Sequence, residues 1–132
     1  MKPNIKIAII DDNQVYRFIA RKLFQKATPL AHLIELYDGQ HAIDFLISKR
    51  NFPAELPELI FMDINMPNLN GWQFLDELRK INIASYAPAI YIVSSSKALE
   101  DTRIAATYPE IKGYLVKPLH MPEIQALIPE SK

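Results

Sequence analysis

The apolar run Leu59-Ile60-Phe61-Met62 stops abruptly at a carboxylate, Asp63. A turn-rich loop carrying Pro67 and Gly71 follows, and a helical pattern begins at Trp72. This layout predicts a short buried strand, a loop and a helix, with Asp63 at the strand's carboxyl end. The plan recurs elsewhere. Residues 5–10 are an apolar, β-branched run that ends in Asp11 and Asp12, and Tyr114-Leu115-Val116 ends in Lys117. Such runs suit strands covered on both faces, the usual condition of a parallel sheet. Open parallel sheets hold ligands beyond the carboxyl ends of their strands. Three acids and a lysine at one edge would therefore make a site for phosphate and a metal ion.

Between these runs the pattern switches to helix. Asp11-Asp12-Asn13 supplies capping chemistry, and Val15, Ile19, Leu23 and Ala27 recur every fourth residue as one helical face. Arg17, Arg21, Lys22 and Lys26 are expected on a solvated face, and Thr28-Pro29 stops the helix. Residues 32–37 read as a second strand, and Asp38-Gly39 turns into a helix that runs to about Arg50. Residues 51–58, with Pro53 and Pro57, read as a passive surface loop. Phe74, Leu75, Leu78 and Ile81 mark a third helix. Residues 89–93 form a fourth strand, after which Ser94-Ser95-Ser96 caps a weaker helix over 99–107. Lys112-Gly113 leads into a fifth strand over 114–116, and a short helix near 123–128 ends at Pro129. The three glycines, Gly39, Gly71 and Gly113, are expected in loops or at element starts. Five strand–helix units in strict alternation imply right-handed crossovers and one parallel sheet with helices on both faces. The length, 132 residues, fits a single domain over residues 1–132.

Composition removes several alternatives. Lys plus Arg (15) equals Asp plus Glu (15), so no strong basic bias argues for nucleic-acid binding as the main task. Without cysteine there is no disulfide, thiolate nucleophile or cysteine-bound zinc. No apolar run approaches the ~20 residues of a membrane span, and residues 1–4 lead into the first strand without a signal-peptide core. A soluble cytoplasmic protein is expected. No glycine-rich phosphate loop of either common kind occurs. A bound phosphate would rest on side chains, isolated amides and a metal.

Crowding Asp11, Asp12 and Asp63 together is unfavourable without a counter-charge and would raise at least one pKa. A divalent cation resolves the repulsion, and an oxygen-only ligand set selects a hard ion such as Mg²⁺. Asp63 is the best candidate nucleophile, because a carboxylate can accept a phosphoryl group as an acyl phosphate. Lys117 would pair with one phosphoryl oxygen and the Ser94 hydroxyl would donate to another, which is most of what such a transfer demands. Trp72, Phe74, Tyr86 and Tyr91 form no spaced cofactor box, and His32, His41 and His120 lack metal-ligand spacing.

Asp11-Asp12, Met62-Asp63-Ile64-Asn65-Met66-Pro67 with Asn70-Gly71, Val93-Ser94-Ser95 and Gly113-Tyr114-Leu115-Val116-Lys117-Pro118 together resemble the receiver domain of two-component response regulators, of the CheY-like kind. The likeness spans residues 5–127, with each motif in order at a strand end. It implies a flavodoxin-like (βα)5 three-layer sandwich with a five-stranded parallel sheet in the order 2-1-3-4-5, an order that general fold rules already give for CheY. It implies that Asp63 is the phosphoacceptor, and that Asp12, Asp63 and the backbone carbonyl of Asn65 ligate Mg²⁺, with Asp11 acting mainly through water. Lys117 matches the lysine that contacts the phosphoryl oxygen, Ser94 the switch hydroxyl and Tyr114 the switch aromatic. A cis Lys117–Pro118 bond is expected. The small polar residues Asn65 and Ser96 are expected to leave the attacking water unobstructed, giving a phosphorylated state of ordinary lifetime. The implied donor is a histidine kinase or a histidine phosphotransfer protein, and the implied output is an altered surface on the fourth helix, fifth strand and fifth helix for an unknown protein target. No enzymatic turnover is expected beyond the protein's own phosphorylation and dephosphorylation.

Two rivals remain at this stage. A magnesium-dependent phosphohydrolase of the haloacid-dehalogenase kind would want an aspartate as general acid two residues after its nucleophile, where this chain has Asn65. A receiver-like adapter that is never phosphorylated would ordinarily have lost one of the acids.

Overall fold

Side chains alternate between the two faces of a strand, and the computed structural model, which describes residues 5–95 and 99–128, sorts the apolar runs accordingly. In β1 (Lys6–Ile10), Ile7 and Ile9 enter one apolar layer while Ala8 and Ile10 enter the other. β3 (Leu59–Met62) divides likewise, Leu59 and Phe61 against Ile60 and Met62. With β2 (His32–Leu36), β4 (Ala89–Ser94) and β5 (Ile111–Val116), these strands form one sheet in the order β2-β1-β3-β4-β5. Every pairing is parallel. α1 (Gln14–Ala27) and α5 (Met121–Leu127) contribute to the layer on one face. α2 (Gly39–Ser48) and α3 (Gly71–Ile81) contribute to the layer on the other, and α4 (Leu99–Ala105) precedes β5. This is the flavodoxin-like three-layer arrangement.

The α1/α5 layer is built around aromatic rings. Phe24 and Phe61 have centroids 4.8 Å apart at 59°, and Phe61 stacks on Tyr91 at 5.1 Å. Gly113 explains part of this packing. A Cβ there would lie 3.0 Å from Cδ1 of Tyr91. The residue pairs with Tyr91 where the β4–β5 register shifts.

Several expectations need correction. Gly113 lies inside β5, which begins three residues earlier than the apolar pattern suggested, at Ile111. Strand continuation is set here by the β4 ladder, which Ile111 and Gly113 join, with Lys112 at the register shift between them. Val15 and Ile19 of α1 are 67% and 51% exposed, whereas Arg17, Ala20 and Phe24 are buried. Four residues advance about 400° around a helix, so a strict every-fourth repeat drifts about 40° per step, and only its last members, Leu23 and Ala27, pack against the core. Residues 51–58 are not a passive surface loop. A 3₁₀ turn over Pro53–Glu55 delivers Leu56 into the core, the Glu58 N–H donates to Lys6 and its carbonyl accepts from Ala89, and the Pro57 carbonyl accepts from the Tyr86 hydroxyl at 2.7 Å. α5 is short and starts at Met121-Pro122, as the sequence suggests, but its seven residues end at Leu127 rather than Ile128. α4 ends at Ala105. The expected roles of Ser96 and Pro129 fall outside the described residues.

These packing assignments separate two substitutions that the sequence pattern alone would rank alike. Phe61→Ala should cost about 3–5 kcal/mol through the cavity it leaves, whereas Val15→Ala should stay within about 0.5 kcal/mol. Urea denaturation of both variants checks this, and a large loss for Val15→Ala would contradict the burial of α1.

Candidate functional site

The carboxyl ends of β1, β3, β4 and β5 lie side by side, and each carries one of the singled-out groups. Asp11 directly follows β1, and its N–H donates to the Leu36 carbonyl at 3.1 Å. Asn13 caps α1, its side chain accepting the Tyr16 N–H at 3.0 Å, while the Asn13 N–H donates to Asp11 Oδ1 at 2.8 Å. Asp63 directly follows β3, and its N–H donates to the Ile10 carbonyl at 3.0 Å. Ligand oxygens of Asp11, Asp12 and Asp63 lie within 4.8 Å of one another. Asp11 is 1% exposed and Asp12 open to solvent.

Lys117 reaches this cluster from the end of β5. Its Nζ donates to Asp11 Oδ2 at 2.7 Å and stands 3.7 Å from Asp63 Oδ2. Its backbone N–H donates to the Ser94 carbonyl at 2.8 Å, joining the tips of β4 and β5. Ser94 is fully buried. A side-chain hydrogen bond links Ser94 to Tyr114 and offsets part of the upward push that burial gives the Tyr114 phenol pKa. The Lys117–Pro118 bond is cis. Asn65 is exposed at the start of the β3–α3 loop. Six of the seven residues singled out from the sequence thus stand at one edge, and Tyr114 lies within β5, paired with Ile92.

Burial is the chief cause that lifts the Asp63 carboxyl above its ordinary pKa, and the charge of Asp11 adds to it. Lys117 and the backbone N–H groups of Ile64 and Asn65 pull it down, the Ile64 N–H at 2.8 Å from Asp63 Oδ1. Three carboxylates face one ammonium, and every donor in the cluster is oxygen. That excess of negative charge, open to solvent at Asp12, is a fit for a hard divalent cation.

Two supporting residues, Arg17 and Tyr16, gave no functional signal in the sequence, and Gly71, already part of the loop motif, supports the site as well. Arg17, expected in solvent, is 8% exposed. Its guanidinium donates to the Asp11 carbonyl and lies 3.4 Å from Glu35 Oε1, which fixes the β1–α1 loop from behind. Its spacing of three and seven residues from Ala20 and Phe24 was the available signal. Gly71 lets the start of α3 approach the backbone of the β3–α3 loop: an added Cβ would meet Ile64 Cα at 3.0 Å and the Asp63 carbonyl at 3.1 Å. The Gly71 N–H donates to the Ile64 carbonyl at 2.8 Å. Tyr16 places its ring against the Lys117 ammonium, 4.2 Å from centroid to Nζ. The histidines stay apart from the acids: the His41 Nδ1 accepts the Tyr37 N–H at 3.0 Å, and the His120 N–H donates to Glu123 in the first turn of α5. Trp72 stacks on Tyr108 at 5.8 Å.

A family model described as the response regulator receiver domain matches residues 7–129. The chain belongs to that family. Among curated relatives, the probable methanogenesis regulatory protein FilR2 of Methanothrix harundinacea is 21% identical over 126 residues, 96% of this chain and 80% of that protein. The nitrate/nitrite response regulator NarL of Escherichia coli is 31% identical over 111 residues, 84% of this chain, which spans about half (47%) of NarL. A response regulator receiver protein from Dyadobacter fermentans superposes with a TM-score of 0.79 at 28% identity, covering 93% of this chain and 94% of that one. A two-component response regulator from Cytophaga hutchinsonii shares the fold, with a TM-score of 0.83 at 23% identity over 93% of each chain. Receiver domains of two-component response regulators are mainly signalling switches. They bind Mg²⁺ at an acidic pocket, the kind of pocket that Asp11, Asp12 and Asp63 make here. Membership in the family implies a phosphoryl donor such as a histidine kinase and a downstream effector. Among the described residues no helix is long and apolar enough to cross a membrane.

The electrostatics of Asp63 predict a pH signature in the metal-free receiver domain. A carboxyl whose native pKa is raised stabilises the fold when protonated, and that contribution is lost as pH rises through the native value. Asp63→Asn removes this loss. It should therefore be more resistant to urea than the wild type at pH 7 in the presence of a chelator, with the advantage gone by about pH 3, where carboxylates are protonated. Equal midpoints at both pH values would contradict the raised pKa.

Proposed function

We propose that Asp63 accepts a phosphoryl group from a phosphohistidine on a histidine kinase or phosphotransfer protein, and that the phosphorylated receiver domain is the signalling state. The observation that carries this reading is the Lys117 ammonium, 2.7 Å from Asp11 and 3.7 Å from Asp63, beside the oxygen-only cluster. A carboxylate oxygen of Asp63 forms the new O–P bond. The P–N bond of the donor breaks and its electron pair returns to the imidazole nitrogen; the proton carried by the other ring nitrogen of the phosphohistidine stays on the ring, so the donor leaves as a neutral histidine side chain. Lys117 moves from pairing with Asp63 to pairing with a phosphoryl oxygen, so its charge is already in place as negative charge accumulates. Mg²⁺ would be held by Asp12, Asp63 and the carbonyl of Asn65, with Asp11 acting through water, and when bound it supplies charge neutralisation of the acids and the phosphoryl oxygens. Residues 1–132 would act as one receiver unit.

Ser94 and Tyr114 carry the signal outward in this reading. Their side chains are hydrogen-bonded to each other in the present structure. A phosphoryl oxygen on Asp63 offers the Ser94 hydroxyl a charged acceptor, a stronger partner than a neutral one. Drawing Ser94 toward it changes the packing of Tyr114, and the α4–β5–α5 surface shifts between two populations. Exposed Val15 and Ile19 on α1, which share a groove with Lys117, give a donor protein an apolar footing. Downstream recognition belongs to the shifted surface.

Incubation with a phosphohistidine donor labelled in its phosphoryl group tests the assignment. The wild type should take up label in the presence of Mg²⁺ and lose it in alkali, as an acyl phosphate does. Asp63→Asn should take up less than about a hundredth as much. Stable labelling of Asp63→Asn equal to wild type would remove Asp63 as the acceptor.

A further inference from the structure

Four residues close a ring of contacts around the ammonium. Asp11 Oδ1 accepts the Asn13 N–H at 2.8 Å, and the Asn13 side chain accepts the Tyr16 N–H at 3.0 Å. The Tyr16 ring faces Lys117 Nζ at 4.2 Å, and Lys117 returns to Asp11 Oδ2 at 2.7 Å. The ammonium thus meets carboxylates on one side and an aromatic face on another. Beyond it lies a largely apolar groove of about 260 Å³, lined by Val15, Ile19, Leu23, Pro118 and Leu119 along with Tyr16 and Lys117.

A flexible lysine stem ordinarily spreads its charge over many rotamers. Here the aromatic face attracts the cation electrostatically and occupies the side from which water would otherwise solvate it. The phenol is kept protonated, by burial first and then by the charges of Asp11 and Asp63, so the ring remains neutral and its face electron-rich. The position is also mechanically fixed. Tyr16 is half-buried against the α1/α5 layer, and its backbone is held by the helix cap that Asn13 forms.

We propose that Tyr16 is a positioning residue for Lys117, its ring holding the ammonium at the phosphoryl-accepting edge and shielding it from water on the α1 side. The kinetic part rests on the reading of Asp63 as phosphoacceptor. The contact itself does not. The ring carries the effect and the hydroxyl does not. Phenylalanine should therefore serve at this position, and an aliphatic side chain of comparable bulk should not.

Two measurements test this separately. In metal-free protein, NMR of the Lys117 side chain should show ε-methylene protons shifted upfield by the ring current in wild type and in Tyr16→Phe, with the shift lost in Tyr16→Leu. Then, with Mg²⁺ and acetyl phosphate as the donor, Tyr16→Leu should take up phosphate about fivefold more slowly, within the range of a partly desolvated cation–π contact, while Tyr16→Phe stays within about twofold of wild type. In a Lys117→Met background, where uptake is already slow, adding Tyr16→Leu should change the rate by less than about twofold. Urea midpoints of all variants confirm that each is folded under assay conditions. An absent ring-current shift, a Tyr16→Phe rate as slow as that of Tyr16→Leu, or an undiminished Tyr16→Leu effect without Lys117 would each overturn the proposal. A wild type that takes up phosphate neither from acetyl phosphate nor from the phosphohistidine donor would overturn the Asp63 assignment and with it the kinetic role, while the NMR shift would still decide the contact.

Discussion

The site depends on one ion pair, Lys117 with Asp11. Asp11 is almost entirely buried, and removing an ionised carboxylate from water is costly unless a partner compensates it. β1 and β5 are not neighbours. Two strands lie between them, and at about 4.8 Å per strand the pair bridges roughly 14 Å of sheet edge. The lysine ammonium reaches Asp11 while standing 3.7 Å from Asp63. Its charge is delivered where the other acids gather, and the same contact that settles Asp11 places a cation beside Asp63. Structure and chemistry are the same interaction here. A receiver domain without Lys117 would lose both the partner of a buried acid and the cation beside Asp63.

The supporting contacts work outward from that pair. Arg17 fixes the Asp11 carbonyl from behind, Gly71 lets the backbone after Asp63 fold down onto the start of α3, and the Lys117 N–H ties the tip of β5 to that of β4. Together they tie the loops behind Asp11, Asp63 and Lys117 to the sheet, while Asp12, Asn65 and the exposed α1 residues remain open to solvent above it.

What the sequence made legible follows from period and position. Short β-branched runs ending in Asp or Lys located the carboxyl ends of β1, β3 and β5, because the last residues of those strands are apolar and the charge that follows marks where each stops. The β5 start was hidden because Lys112 and Gly113 look like a turn. Only the Tyr91 ring, which leaves no space for a side chain at Gly113, explains a glycine inside that strand. The orientation of α1 was hidden for a different reason. Val15 and Ile19 are apolar but exposed, and Arg17 is charged but buried, so hydrophobicity alone pointed to the wrong face. Tyr16 carried no signal at all until the fold brought it to Lys117, a hundred positions away in the chain. Long-range pairs of this kind are written in the topology, which local patterns do not encode.

A phosphorylation switch at this site would need the acids, the hydroxyl and the ammonium to cooperate around a hard cation and a phosphoryl group. Titration with Mg²⁺ and beryllofluoride, a stable phosphoryl mimic, while following Trp72 fluorescence probes all of them together. A saturable change that needs both Mg²⁺ and beryllofluoride and is abolished by Asp63→Asn is the predicted result. No fluorescence change at millimolar concentrations of both, or an equal change in Asp63→Asn, would contradict it.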